Sequence, residues 1–226
     1  MTEHTFVDPW QRAEPLAPGP AQTILDGLWR RNPIAVGLLG ICSALAVTTR
    51  LESAIVMSVA VIFVCTMSNF VISLIRGVTP ARIRLIAWIT LIGTFVIVVD
   101  QLTKAFYYEI SLQLGPYVGL IITNCIILGR AEAFASRHRP ALSALDGVAN
   151  GVGYGIVLCL VASIRELLGT GQIALMHLGG KPVTLVTLGE RYLPNDLLLM
   201  SAGAFITLGF LVALFNACRG RGDADG

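Results

Sequence analysis

Pro33-Ile-Ala-Val-Gly-Leu-Leu-Gly-Ile-Cys42 is answered later in the chain by Pro116-Tyr-Val-Gly-Leu-Ile-Ile-Thr-Asn-Cys125. Each stretch runs from a proline to a cysteine nine positions on, through mostly apolar residues. Proline is well placed at the first turn of a helix, so Pro33 and Pro116 mark entry points. Nine residues of helix rise about 13.5 Å, close to half of the ~30 Å of bilayer hydrocarbon. Glycines interrupt both stretches: Gly37 and Gly40 before Cys42, and Gly119 and Gly129 around Cys125. Short or broken helices are therefore expected here, their free ends covered by protein.

Working outward, the uncharged runs are 32–49, 53–75, 85–99, 110–129, 147–164 and 197–218. Each approaches the ~20 residues that cross a bilayer as a helix. Lipid cannot satisfy backbone amides, so helices are favoured, and the runs do not alternate as barrel strands would. Six transmembrane helices are expected, in an all-α polytopic membrane protein. The run 183–189 is too short for a seventh. Composition agrees: the 226 residues are 55% hydrophobic and 13% charged, against about 25% charged in ordinary soluble domains. With net charge +2 and no basic cluster, a soluble enzyme, a disordered chain and a nucleic-acid binder are excluded.

Six spans divide into two triplets, each opened by a Pro-to-Cys stretch. An odd number of crossings inverts the second copy, and inverted repeats tend to place function near the midplane. The expected divisions are a polar tail at 1–31, a first repeat at 32–109, a second at 110–218 and a tail at 219–226. Pro9, Pro15, Pro18 and Pro20 give the first segment the texture of a surface tail, not of a secretory signal. With the N-terminus taken as cytoplasmic, eleven Lys and Arg fall inside and five outside (Arg50, Lys104, Arg165, Lys181 and Arg191). That bias puts both termini in the cytoplasm.

The five cysteines, Cys42, Cys65, Cys125, Cys159 and Cys218, all lie in apolar runs. A secreted disulfide framework is not supported. Cys65, Cys159 and Cys218 read as small packing residues. Cys42 and Cys125 reach similar depth from opposite faces. They are open to packing, a disulfide, a metal site or a redox centre. Two thiolates are too few for an all-cysteine iron–sulfur cluster, so a second chain would have to complete one. His4, His138 and His177 lie outside the spans, which leaves zinc without imidazole ligands.

Leu39-Gly-Ile-Cys-Ser-Ala-Leu-Ala-Val-Thr48, Ser68-Asn-Phe-Val-Ile-Ser-Leu-Ile-Arg76, Val98-Val-Asp-Gln101, the run Gly119 to Ala135 and Arg165-Glu-Leu-Leu-Gly169 resemble the NqrD/RnfE family. These are small membrane subunits of sodium-pumping NADH:quinone oxidoreductases and of Rnf complexes. The resemblance covers about residues 32–218 and is closer to the sodium-pump branch. It implies six helices in two inverted triplets and a [2Fe-2S] cluster shared with the paralogous E subunit, with Cys42 and Cys125 as this chain's iron ligands. It further implies electron relay across a bacterial inner membrane, Na+ as the transported ion and ubiquinone as acceptor. The implied partners are the flavin-bearing B and C membrane subunits, the NADH-oxidising F subunit with its iron–sulfur centre and flavin, and the A subunit. The covalent-flavin threonine motif of the sister subunits is absent, so no flavin is expected on this chain. The alternatives are the E subunit of an Rnf ferredoxin:NAD oxidoreductase and a secondary transporter or channel with inverted repeats.

Other residues are weighed on local chemistry. Asp100 reads as an i,i+4 partner of Lys104, and Asp146 as the cap of the fifth helix ahead of Gly147. Both are also the best cation candidates, one per face. Arg130 with Glu132, and Arg165 with Glu166, read as interfacial anchors, although the first two could also tune the nearby Cys125. Gly147, Gly151 and Gly155 repeat every four residues, the pattern of close helix packing. Asn69 and Asn124 are expected to hydrogen-bond between helices, and Asn124 could tune Cys125. No P-loop, zinc-protease motif or nucleophile elbow occurs.

Overall fold

The computed structural model describes residues 39–222 apart from 78, 81, 107–114, 116, 171, 179–180 and 188–199. The tail at 1–31 and the entry prolines Pro33 and Pro116 lie outside the described residues. Apart from one hairpin, the described elements are helical. They are α1 (Ile41–Val47), α2 (Leu51–Ile75), α3 (Arg84–Phe106), α4 (Cys125–Arg130), α5 (Pro140–Thr170) and α6 (Ser201–Gly222). Residues 117–122 are also helical, and α4 continues into a π-helical turn at Ala131–Ala135. Strands β1 (Gln172–Leu178) and β2 (Lys181–Thr187) pair antiparallel with irregular register. β2 takes up much of the short run 183–189, and this hairpin amends the all-α expectation.

Among the described residues four helices are long and apolar enough to cross a membrane: Leu51–Ile75, Arg84–Ala105, Tyr117–Ala135 and Pro140–Thr170. The other two expected spans look different. The described part of 32–49 holds only the seven-residue α1. α6 runs from Ser201 to Gly222, past the end of the expected run and into the expected tail.

Charges do not end the helices where the uncharged runs stop. α3 continues past Asp100 to Phe106, helped by the Asp100–Lys104 ion pair at 2.6 Å. α5 begins at Pro140 and ends at Thr170, so it carries Asp146, Arg165 and Glu166 inside it. Asp146 therefore is not the helix cap. It sits in the second turn, where Arg130 on α4 and Asn150 one turn along satisfy its charge.

α2 and α5 form the centre of the fold as an antiparallel pair. Built side chains explain their closeness. A Cβ on Gly147 would lie 2.8 Å from the Thr66 Cα, and one on Gly151 would lie 2.9 Å from the Ile62 Cα. A Cβ on Gly155 would meet Ser58 at 3.1 Å. The four-residue glycine repeat thus lets backbone meet backbone, as expected of small residues at a membrane helix contact. Hydrogen bonds close both ends of the pair. The Glu166 carboxylate accepts from the Leu51 N–H at 2.8 Å. At the other end Ser73 Oγ and Arg76 Nη1 donate to the His138 carbonyl.

Met57, Val61, Val64, Ile126, Tyr154 and Leu158 pack around this crossing. A smaller cluster gathers Ile72, Trp88, Ala131 and Ala135. The outer faces are apolar and exposed, notably Ile86 and Ile97 on α3 and Phe205 and Phe210 on α6. Large apolar faces of this kind suit lipid or other membrane subunits.

Candidate functional site

The two Pro-to-Cys stretches meet. Gly40 adopts φ 79°, ψ 13°, a left-handed turn that lacks a Cβ penalty only in glycine, and α1 starts immediately after it. In the second stretch the helix breaks at Thr123 and Asn124, and α4 starts at Cys125. The Asn124 side chain accepts from the Ile126 N–H at 3.1 Å, capping the new segment. Cys42 is thus the second residue of α1, just past the turn at Gly40, and Cys125 is the first of α4, just past the break.

The turn and the break are joined directly. The Gly40 N–H donates to Cys125 Sγ at 2.8 Å, across 85 residues of sequence. Close packing holds this contact. A Cβ on Gly40 would lie 2.6 Å from Ile126 Cδ1 and 3.2 Å from Tyr154 Cε2. Cys42 is exposed, Cys125 is half-buried, and both are free thiols.

A neutral hydrogen-bond network lies behind the cysteines. Ser43 Oγ donates to the Gly40 carbonyl at 3.0 Å and accepts from Asn124 Nδ2 at 3.3 Å. Its one proton is thereby used, so the Tyr154 hydroxyl is the donor in their 2.8 Å contact. Ser43, Asn124 and Tyr154 are fully buried. Asn124 was legible beforehand as a polar residue beside Cys125. Tyr154 was not; its only sequence signal is a phenol set among the glycines of α5.

A second polar cluster lies where α4 meets α5. Arg130 grips Asp146 through both Nε, at 2.9 Å, and Nη2. Asn150 Nδ2 donates to the same carboxylate at 2.9 Å. Arg130 also lies over the Phe134 ring, 5.2 Å from its centroid. Glu132 binds Arg84 and accepts from the Trp88 indole at 3.1 Å. Arg130 and Glu132 are thus tied to neighbouring helices rather than acting as free interfacial anchors. Among the described residues, the buried Asn69 Oδ1 and Ser143 Oγ have no hydrogen-bond partner. Asn69 Nδ2 faces Cys65 Sγ within its own helix at 3.8 Å, so the expected bond between helices is not what this amide makes.

The other charged and cysteine residues lie away from the junction. Arg165 is buried, donating to Thr48 Oγ1 and to the Met200 carbonyl, and Glu166 binds the start of α2. Each reaches a helix end that folding brings to it. Asp100 is engaged by Lys104 near the end of α3. Cys65 is buried in the core and Cys159 contacts Ser58 at 3.9 Å, as packing residues do. The Cys218 side chain lies outside the described residues.

No group of three or more His, Cys, Asp or Glu suited to a metal ion occurs among the described residues. Cys42 and Cys125 therefore offer two soft donors at a partly open position. That donor set fits half of a four-thiolate iron–sulfur site and is too small for a whole one.

The sequence is similar to known proteins. The model of a family described as "Rnf-Nqr subunit, membrane protein" matches residues 21–212. The chain is 52% identical over 188 residues to the D subunit of the Na(+)-translocating NADH-quinone reductase of Photobacterium profundum. That alignment covers 83% of this chain and 88% of the relative.

Proposed function

The chain belongs to the Rnf-Nqr family of membrane proteins, and we propose that it is the D subunit of a sodium-translocating NADH:ubiquinone oxidoreductase. In this reading Cys42 and Cys125 donate two thiolates to a [2Fe-2S] cluster whose other two come from the paralogous E subunit. The observation that carries it is the Gly40 N–H bond to Cys125 Sγ, which joins the turn before Cys42 to the segment that starts at Cys125. When bound, such a cluster supplies a one-electron relay between the two membrane faces.

This chain's residues contribute in distinct ways. Gly40 presents an N–H to one ligand sulfur, and N–H bonds to cluster sulfurs help set potential. The exposed Cys42 leaves its thiol accessible to a partner. Ile126, Tyr154 and Ile121 are buried around the junction and keep that side dry. The wider arrangement is two inverted triplets of helices with both termini cytoplasmic in a bacterial inner membrane. The A, B, C and F subunits are the further partners, and no flavin is attached covalently here.

Asp100 and Asp146 are the proposed cation positions on the sodium path. At Asp146 an arriving ion competes with Arg130 and Asn150 for the carboxylate. Removing that carboxylate changes apparent sodium affinity in an assembled complex if the proposal holds.

The deciding experiment uses the whole complex. Iron, acid-labile sulfide and an EPR signal assignable to a [2Fe-2S] centre are expected. Cys42→Ser with Cys125→Ser abolishes that signal while leaving the flavin signals of the other subunits. An intact signal in the double variant removes the site assignment. A complex without iron at this position favours a transporter or channel instead.

A further inference from the structure

We propose that Tyr154 is a positioning residue for Cys125, acting through Ser43 and the Gly40 carbonyl to hold the left-handed turn at Gly40, whose N–H bonds the cysteine sulfur. This rests on the cluster reading above and adds to it a residue outside both cysteine-bearing stretches.

The chain of contacts is continuous. Tyr154 Oη donates to Ser43 Oγ at 2.8 Å, across 111 residues of sequence. Ser43 donates to the Gly40 carbonyl at 3.0 Å, and the Ala44 N–H donates to that same oxygen at 3.1 Å. The Gly40 carbonyl is thereby tied to the first turn of α1, while the Gly40 N–H points to Cys125 Sγ at 2.8 Å. The phenol ring also packs on the turn, where a Cβ on Gly40 would lie 3.2 Å from Tyr154 Cε2.

A left-handed turn ahead of a seven-residue helix has little of its own to hold it. Asn124 braces Ser43 from the second stretch, so the serine is gripped from both sides of the junction. Loosening this brace lengthens or misaligns the N–H···S bond. Such bonds favour the more electron-rich, reduced form of an iron–sulfur centre, so weakening one moves the potential downward.

The test is an EPR-monitored redox titration of the intact complex carrying Tyr154→Phe, which keeps the ring and removes only the hydroxyl. The midpoint potential is expected to become more negative, with altered g-values and unchanged iron content. Ser43→Ala is expected to shift it in the same direction, and the double variant no further than Ser43→Ala alone. Additive shifts, or an unmoved potential and spectrum, overturn the proposal. If Tyr154→Phe does not accumulate, Ser43→Ala carries the test, and an unmoved potential there overturns it equally. A wild-type complex lacking the cluster defeats the functional reading itself. A wild-type signal with unmoved variants defeats only the role of Tyr154.

Discussion

The cysteine junction and the Arg130–Asp146 cluster are both polar places inside an apolar chain, yet they are built oppositely. At the junction the supporting groups are neutral: a phenol, a hydroxyl, an amide and one peptide N–H. The phenol and the amide both bond the Ser43 hydroxyl, only the Gly40 N–H reaches a sulfur, and Cys42 is left exposed. At the other cluster full charges face each other, and Asp146 is 2% exposed with its carboxylate occupied by Arg130 and Asn150. The first arrangement leaves a thiol open to a partner. The second suits holding α4 against α5. Such a pair is costly to break, because the buried carboxylate left alone has neither water nor a counter-ion.

Three substitutions probe that contrast further. Asp146→Asn strikes the saturated cluster and strands Arg130. A loss of about 3–5 kcal/mol in stability is expected, read as a lower thermal transition of the purified complex. Arg130→Gln in the same chain should recover much of it. A fully stable single variant would show that the pair does not hold the helices.

Gly147→Ala tests the dry surface between the two sites. The added methyl would meet backbone at 2.8 Å, and backbone cannot rotate away as a side chain can. Overpacking of about 1–3 kcal/mol is expected, seen as weaker thermal stability. Gly93→Ala is the control, since nothing lies within 4 Å of a Cβ there.

Asp100→Asn has the smallest expected effect on folding. Its Lys104 partner is half exposed, and exposed ion pairs contribute about 0–1 kcal/mol. Stability should barely move. A changed sodium dependence of turnover at unchanged stability would then mark Asp100 as part of the ion path, and unchanged sodium dependence would remove it.

The apolar runs, the Pro-to-Cys repeats and the packing glycines were legible before any coordinates. Each is a local pattern: lipid forces a helix to satisfy its own amides, and glycine at every fourth position lines one helix face. Helix ends were less legible, because charges served as boundary marks. Arg130, Asp146, Arg165 and Glu166 violate that rule, since each finds its partner on another segment.

By itself, then, the sequence determined that this chain lives in a membrane, that two cysteines follow matched stretches, and which family it joins. Tertiary structure alone decided that Gly40 reaches Cys125, that Tyr154 stands behind them both, and that Asp146 lies inside a helix rather than at its start. The physical reason is range. Periodicity and hydropathy act over one or two helical turns, whereas these contacts join residues far apart along the chain and exist only once α2 and α5 have packed.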